Sequence, residues 1–186
     1  AFGACRVLVN NAAVQPVPSP LLSLGLEEWH RVLDINLTGA LLCAQAFGAQ
    51  MVAAGRGGSM VHVASVGGDH AWPGSGAYGV SKAGMSLMSR LLALELAPHG
   101  IRSNVIKPAL VRTPASDYLY QDGDVLRRRN ELIPVGRVSV PLDLANVVAF
   151  LASDRAGYID GQDLTVDGGL TQTLMTLVPR PASGKA

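Results

Sequence analysis

Residues 58–108 decide the fold. "GSMVHVASV" (Gly58–Val66), "AYGVSKAGMSLMSRLLALELAPHG" (Ala77–Gly100) and "IRSNVIKP" (Ile101–Pro108) succeed one another, with one Gly-rich loop after the first. Ser59–Ala64 reads as a buried strand with Ser65 at its carboxyl end. The second piece carries apolar residues at helical spacing and closes on Pro98 and Gly100. Arg102–Ile106 is a further strand, stopped by Pro108. Strand, helix and strand in this order make a βαβ unit, so the two strands lie parallel.

The same alternation extends outward. "CRVLVNNAA" (Cys5–Ala13) is a short β-branched apolar run ended by two asparagines, a buried strand and a turn. "QPVPSP" (Gln15–Pro20) is a Pro-rich loop that cannot continue the strand. A short helix from about Gly25 and a long one from about Asn36 to near Gly55 follow. Residues 115–139 have no clear period and suit a flap over a pocket, with Tyr118, Leu119 and Tyr120 as its lining. "PLDLANVVAFLASD" is a helix with Pro141 near its start and Asp143 in its first turn. Asp163–Val166 is the last strand. The reading is one α/β domain over residues 1–172, a parallel sheet of βαβ units, followed by a flexible tail over 173–186. In such sheets the site lies beyond the carboxyl ends of the strands, where Asn11, Ser65 and residues 108–113 fall.

Composition narrows the function classes. Hydrophobic residues make up 48% and charged residues 16% of 186, which fits a buried sheet. The formal net charge of +1 gives no global field for nucleic acid or an anionic membrane. "RRRN" (Arg127–Asn130) reads as a solvated helix face. Cys5 and Cys43 have no CxxC pairing and no metal-ligand spacing; they read as small buried hydrophobes and fit a reducing cytoplasm. No metal is expected. No apolar run is expected to reach the ~18 residues of a membrane span. His62, His70 and His99 show no ligand spacing and read as structural or solvated, and His30 beside Trp29 reads as part of a helix surface. Met85 and Met88 read as packing residues.

"AYGVSKAG" (Ala77–Gly84) carries the chemistry. Residues at i and i+4 share a helix face, so the Lys82 ammonium can stand near the Tyr78 phenol. A free phenol, with pKa about 10, titrates too high to serve as a base at neutral pH, and a neighbouring cation is expected to lower that value. Taken singly, Ser65 would cap a turn, Asn36 would start a helix, and Asn10 and Asn11 would fit a left-handed turn.

Ser65 placed 13 residues before Tyr78, Lys82 at i+4, Asn36 in "DINLTG", "NNAA", the 108–113 turn and the closing "VDGG" together resemble the short-chain dehydrogenase/reductase family of classical, 3-oxoacyl-ACP-reductase-like type. The resemblance runs from Phe2 to about Gly169. It implies a Rossmann-type doubly wound parallel sheet and hydride transfer between an alcohol/carbonyl substrate and NAD or NADP. Tyr78 would be the acid/base. Lys82 would lower its pKa and hold the nicotinamide ribose. Ser65 would bond the substrate oxygen, and Asn36 would position a water in a proton relay. Asn11 and Ala12 would lie against the adenosine side of the cofactor, and Pro108, Val111 and Thr113 beside its carboxamide end. Ala77, Gly79, Ala83 and Gly84 would keep the helix close to its neighbours. Relatives of this type associate through their two long helices, so a homo-oligomer, tetramer or dimer, is expected. Departures from the family pattern are Ala109 and Ala13 for glycines, His62 for an Asn and Arg6 for an Asp.

One family element does not stand in these residues. No GxxxGxG or GxGxxG precedes "CRVLVNNAA", although a helix N-terminus after such a turn holds the pyrophosphate in the family. In the family's order this first strand would be the fourth. The expectation is a chain lacking the first three strands and the phosphate loop, with "RVLVN" as an apolar edge and cofactor binding impaired. The alternative is a non-catalytic remnant that only associates with other subunits.

Overall fold

The computed structural model describes residues 3–179. Four strands, β1 (Val7–Asn10), β2 (Gly58–Val63), β3 (Ile101–Pro108) and β4 (Asp163–Val166), pair in parallel in the order β1-β2-β3-β4. Register runs from Leu8 against Met60 to Val63 against Ile106 and Pro108 against Val166. Helices cover both faces. On one, α2 (Gly39–Ala54) and α3 (Ala77–Leu96) bury Leu8, Met60, Ile101 and Val105 under Ala44, Met51 and Met85. On the other, α5 (Pro141–Ala152) sets Leu144 and Leu151 against Val61 and Ile106. β3 therefore has helices above and below, and its six residues from Ser103 to Pro108 are buried. Near-continuous apolar strands are what such double coverage requires.

Several boundaries move from the sequence reading. β3 runs through Lys107 and Pro108 rather than stopping short of the proline, because a prolyl carbonyl still serves a ladder. The two expected helices before Gly55 are one continuous run. α1 (Leu26–Leu33) passes into α2 through a π turn over Asp34–Thr38, where Gly39 N–H reaches back to Asp34 O. That run, Leu26–Ala54, spans 29 residues and is long and apolar enough to cross a bilayer, against the expectation of none. Its Ala40, Ala44, Gly48 and Met51 are packed on the sheet. The flap holds α4 (Gly123–Leu132), begun by the Asp122 carboxylate, which accepts from the N–H groups of Asp124 and Val125. A short 3-10 turn, Leu170–Gln172, closes the expected domain, the expected tail begins with another, Leu174–Leu177, and residues 180–186 lie outside the described residues.

β1 is an edge strand, with Val7 and Val9 two-fifths exposed on the face away from α2. Ala109, in place of the family glycine, sits without strain, since no described residue other than glycine has a positive φ.

The α2/α3 face of the sheet hides a polar chain. His62 is fully buried; Asn10 Nδ2 donates to its Nδ1 at 3.0 Å, and its Nε2 stands 3.2 Å from Ser103 Oγ, itself 2.8 Å from Ser89 Oγ. The Asn10 Nδ2, which also donates to Ala40 O, can only donate, so Nδ1 is the acceptor and the proton resides on Nε2. Burial pushes the imidazole pKa down to about 4. An unfolded histidine titrates near 6.5, so between those values the unfolded chain binds more protons and stability falls as pH falls. We expect this group to remove about 2 kcal/mol of stability between pH 7 and pH 5. Urea unfolding of His62→Asn against the parent across that range should show a shallower acid loss by that amount, and equal slopes would refute the buried neutral imidazole.

Candidate active site

The site is built where β2 ends. Val63 is the last residue of the strand, and Ala64 N–H extends the ladder to Ile106 O at 2.9 Å. Ser65 then caps a single 3-10 turn, Val66–Gly68, its Oγ accepting from Gly67 N–H at 3.1 Å. The capping role foreseen for a lone serine is thus present, and it fixes the direction of the hydroxyl.

The turn lies directly on α3. A Cβ at Gly68 would stand 2.9 Å from Ala83 N and 3.0 Å from Lys82 C, and one at Gly79 would stand 2.9 Å from Gly67 O. Real Cβ atoms do not approach so closely, so glycine at 68 and 79 lets the Ser65 turn reach the Tyr78 helix. Gly84 serves the other side, where a Cβ would meet Leu37 Cδ2 at 2.8 Å.

Three of the expected side chains meet there. The Ser65 hydroxyl and the Gln15 side chain, from the loop after β1, lie close enough to the Tyr78 phenol to favour its ionised form. Lys82 Nζ lies 5.6 Å from the centre of the Tyr78 ring and donates to Val63 O at 2.8 Å, with the side chain fully buried. Asn36 lies one layer behind, in the π turn. Its Oδ1 accepts from Val14 N–H at 2.8 Å, and its Nδ2 donates to Val14 O at 3.0 Å and to Ser81 Oγ at 3.2 Å. Ser81 Oγ in turn donates to Tyr78 O at 2.7 Å. The Asn36 amide has both N–H groups engaged, so it ties the Gln15 loop to the Tyr78 helix instead of presenting a free donor to water.

The electrostatics correct one expectation. The Tyr78 pKa is raised: burial of the phenol outweighs the opposing hydrogen bonds from Ser65 and Gln15. Lys82 was expected to lower it. Its ammonium instead faces the ring and the Val63 carbonyl, and burial pulls its own pKa down to about 8.

The cofactor-side candidates divide. Asn11 and Ala12 are exposed at the end of β1, where the buried asparagine is Asn10. Pro108 is buried at the end of β3. Val111 packs among Ile106, Val147 and Val166, and Thr113 is bonded to Ser116 through its N–H (2.9 Å) and its hydroxyl (3.0 Å). Lys82 makes a single hydrogen bond here, which leaves donors for ribose hydroxyls. A nicotinamide ribose therefore fits these residues, while no backbone cradle for a pyrophosphate precedes β1 in the described residues. Among those residues, no group of three His, Cys, Asp or Glu is placed to hold a metal ion.

In the flap, Tyr120 is buried against Ile133 and Val138 with Arg129 stacked 4.9 Å from its ring centre, so it is core to the flap and not pocket lining. Tyr118 stays exposed. "RRRN" is only partly a solvated face: Arg127 pairs with Asp124 and Glu131, but Asn130 Oδ1 accepts from Val138 N–H. Gln15 was missed, because a loop glutamine carries no spacing signal. A cavity of about 940 Å³ opens at the opposite, amino-terminal ends of the strands, among Arg6, Arg56, Arg102 and Tyr158, remote from this chemistry.

Known proteins resemble this chain in sequence and fold. A family model described as Enoyl-(Acyl carrier protein) reductase matches residues 1–171. The chain is 39% identical over 171 residues to 3beta-hydroxysteroid dehydrogenase 1 of Eggerthella lenta, covering 91% of this chain and 65% of that protein. It is 36% identical to Dehydrogenase/reductase SDR family member 4 of Sus scrofa, covering 92% of this chain and 61% of that one. Among solved structures, a gluconate 5-dehydrogenase from Burkholderia cenocepacia in complex with NADP and tartrate superposes with a TM-score of 0.85 at 31% identity, over 92% of this chain and 66% of that one. The chain thus spans a little under two thirds of the length of these relatives. The family model over residues 1–171, the sequence identities and the superposed fold agree: the chain belongs to the short-chain dehydrogenase/reductase family.

Proposed function

We propose that these residues form the catalytic part of an NAD(P)-dependent oxidoreductase that interconverts an alcohol and a carbonyl. The observation that carries this reading is the packing of the Ser65 turn, through Gly67 and Gly68, onto the helix of Tyr78, with the buried Lys82 ammonium 5.6 Å from the phenol ring centre at the end of β2. A bound dinucleotide supplies or accepts the hydride. The chain's own residues handle the oxygen and its proton. Ser65 Oγ, aimed by its bond from Gly67 N–H, holds the substrate oxygen. Tyr78, neutral at rest because burial raises its pKa, is set to give its proton to a carbonyl oxygen, which is the reductive direction. Oxidation needs the phenolate, which the hydrogen bonds from Ser65 and Gln15 favour.

Lys82 holds the ribose and keeps a positive charge beside the ring. Asn36 positions the helix and the Gln15 loop through Val14 and Ser81. Asn11, Ala12, Pro108, Val111 and Thr113 line the cofactor's path along the strand ends. The relatives' names offer a hydroxysteroid and gluconate as first substrates to try. The exposed Leu87 and Leu91 border a groove between α2 and α3 with Leu41 and Met88, and this face supports pairing with a second copy. Leu87→Glu should shift the sedimenting species to the monomer.

Turnover is to be measured with NADP(H) and NAD(H) on the full translation product of the reading frame that encodes these residues. Tyr78→Phe should lower kcat by about 10³-fold, within the range of a lost general acid. Turnover unchanged by that substitution would end the reading. The 186 residues alone should show no micromolar stabilisation by either dinucleotide in a thermal titration, and micromolar binding would refute the impairment.

Lys82 gives an independent check. With a folded pKa of about 8 against an ordinary 10.5, the unfolded chain binds more protons between those values, so stability rises with pH. We expect a gain of about 2 kcal/mol from pH 8 to pH 10 that is absent in Lys82→Met. Parallel urea curves for parent and variant over that range would contradict the buried amine.

A further inference from the structure

We infer that Lys107 is a positioning residue for the proposed reaction, a buried ammonium that anchors the Ser65 turn to the sheet by gripping Asp69. The inference rests on the catalytic reading of Ser65 and Tyr78. Lys107 precedes Pro108 on β3 and its side chain is only 4% exposed. An ammonium so placed is costly unless its donors are satisfied. Here they are: Nζ donates to Asp69 Oδ1 and Oδ2 at 2.9 and 2.7 Å and to Asp163 Oδ2 at 2.7 Å. Asp163 starts β4, and Arg90 of α3 stands 3.6 Å from the same Oδ2. Asp163 Oδ1 is buried without a partner, so the carboxylate's hold on the sheet is through that one oxygen.

Asp69 is the far end of the turn that Ser65 begins. Gly68 N–H bonds Ser65 O at 3.0 Å, and Asp69 N–H bonds Val66 O at 3.0 Å. These rungs make the turn a short rigid lever. One end is capped by the Ser65 hydroxyl, the middle lies on α3 through Gly67 and Gly68, and the other end is held by Lys107. Releasing Asp69 lets the lever rotate about the glycine contact, which moves Ser65 Oγ away from the phenol. Asp69 is half-exposed and carries no other described side-chain bond, so a substitution there severs the grip while Lys107 keeps Asp163.

The test is Asp69→Asn, with Lys107→Met and Lys107→Arg alongside. The readouts are the pH at which the Tyr78 ring titrates, followed by carbon-13 tyrosine resonances in the folded protein and assigned with Tyr78→Phe, and steady-state kinetics. Asp69→Asn should move the Tyr78 titration upward by about half a pH unit, since a hydrogen bond to the phenolate is weakened. It should also lower kcat about tenfold with the KM for dinucleotide unchanged, as loss of an interaction made with the reacting oxygen requires. Lys107→Arg should restore both values, and Lys107→Met should match Asp69→Asn wherever it remains folded. A purely structural salt bridge would lower the unfolding midpoint but leave the titration and kcat at parent values, and that result overturns the inference. A parent protein without turnover would defeat the proposed function instead, and the titration would still decide the anchor.

Discussion

A lysine buried beneath the active helix, its Nζ on the carbonyl of the last residue of β2, is the contact on which the site depends. The bond from Lys82 to Val63 O joins the start of α3 to the end of the central pair of strands. It fixes the height of the helix relative to the strand end, and Tyr78 lies one helical turn before Lys82 while Ser65 lies two residues beyond Val63. One contact therefore sets the positions of both Tyr78 and Ser65, the residues proposed to handle the substrate oxygen and its proton. The same burial brings the amine to a pKa of about 8, close to working pH, as is common where charge is used rather than merely tolerated.

The helix reaches that height only because the residues between are small. The Ser65 turn and α3 meet backbone to backbone at Gly67, Gly68 and Gly79, and side chains there would hold the phenol and hydroxyl apart. Behind them, Asn36 uses the π turn to aim its amide at Val14, so the loop bearing Gln15 is fixed to the helix bearing Tyr78. π turns are uncommon and cluster at functional positions, and here the inserted residue points a polar group inward without breaking the run from Leu26 to Ala54.

The parts legible in the sequence were those that depend on periodicity and fixed spacing. β-branched runs gave the strands, Gly55 and Gly100 gave the helix ends, and the interval from Ser65 to Lys82 gave three residues that the fold gathers at one strand end, because each rests on local geometry. Side-chain direction across the fold was not legible. The sequence places Tyr120 in a pocket, but the flap folds it inward under Arg129. The expected lowering of the Tyr78 pKa failed for a similar reason, since i,i+4 spacing puts an ammonium near a ring without saying whether it faces the oxygen or the π face. His62 looked like an ordinary replacement for Asn, and only the sheet shows it bridging Asn10 to Ser103 with its tautomer fixed. Lys107 carries no spacing signal, and its two carboxylates come from segments 38 and 56 residues away.

The two sides of the site cannot shift independently. β2 and β3 stay in register to Val63 and Ile106, and the bond from Ala64 N–H to Ile106 O carries the pairing one step further. Ser65 leaves this ladder on one strand and Pro108 on the next, so the group that would hold the substrate oxygen and the turn that would border the nicotinamide share one hydrogen-bonded frame. α5 presses on that frame from one face and α3 from the other. A displacement large enough to misplace either reactant must therefore disturb the packing of Val61, Val105 and Ile106. Tolerance to substitution should accordingly rise with distance from this paired segment, along the flap and toward the outer faces of α2 and α3, where substrate and subunit preferences can vary without moving the proton-transfer group.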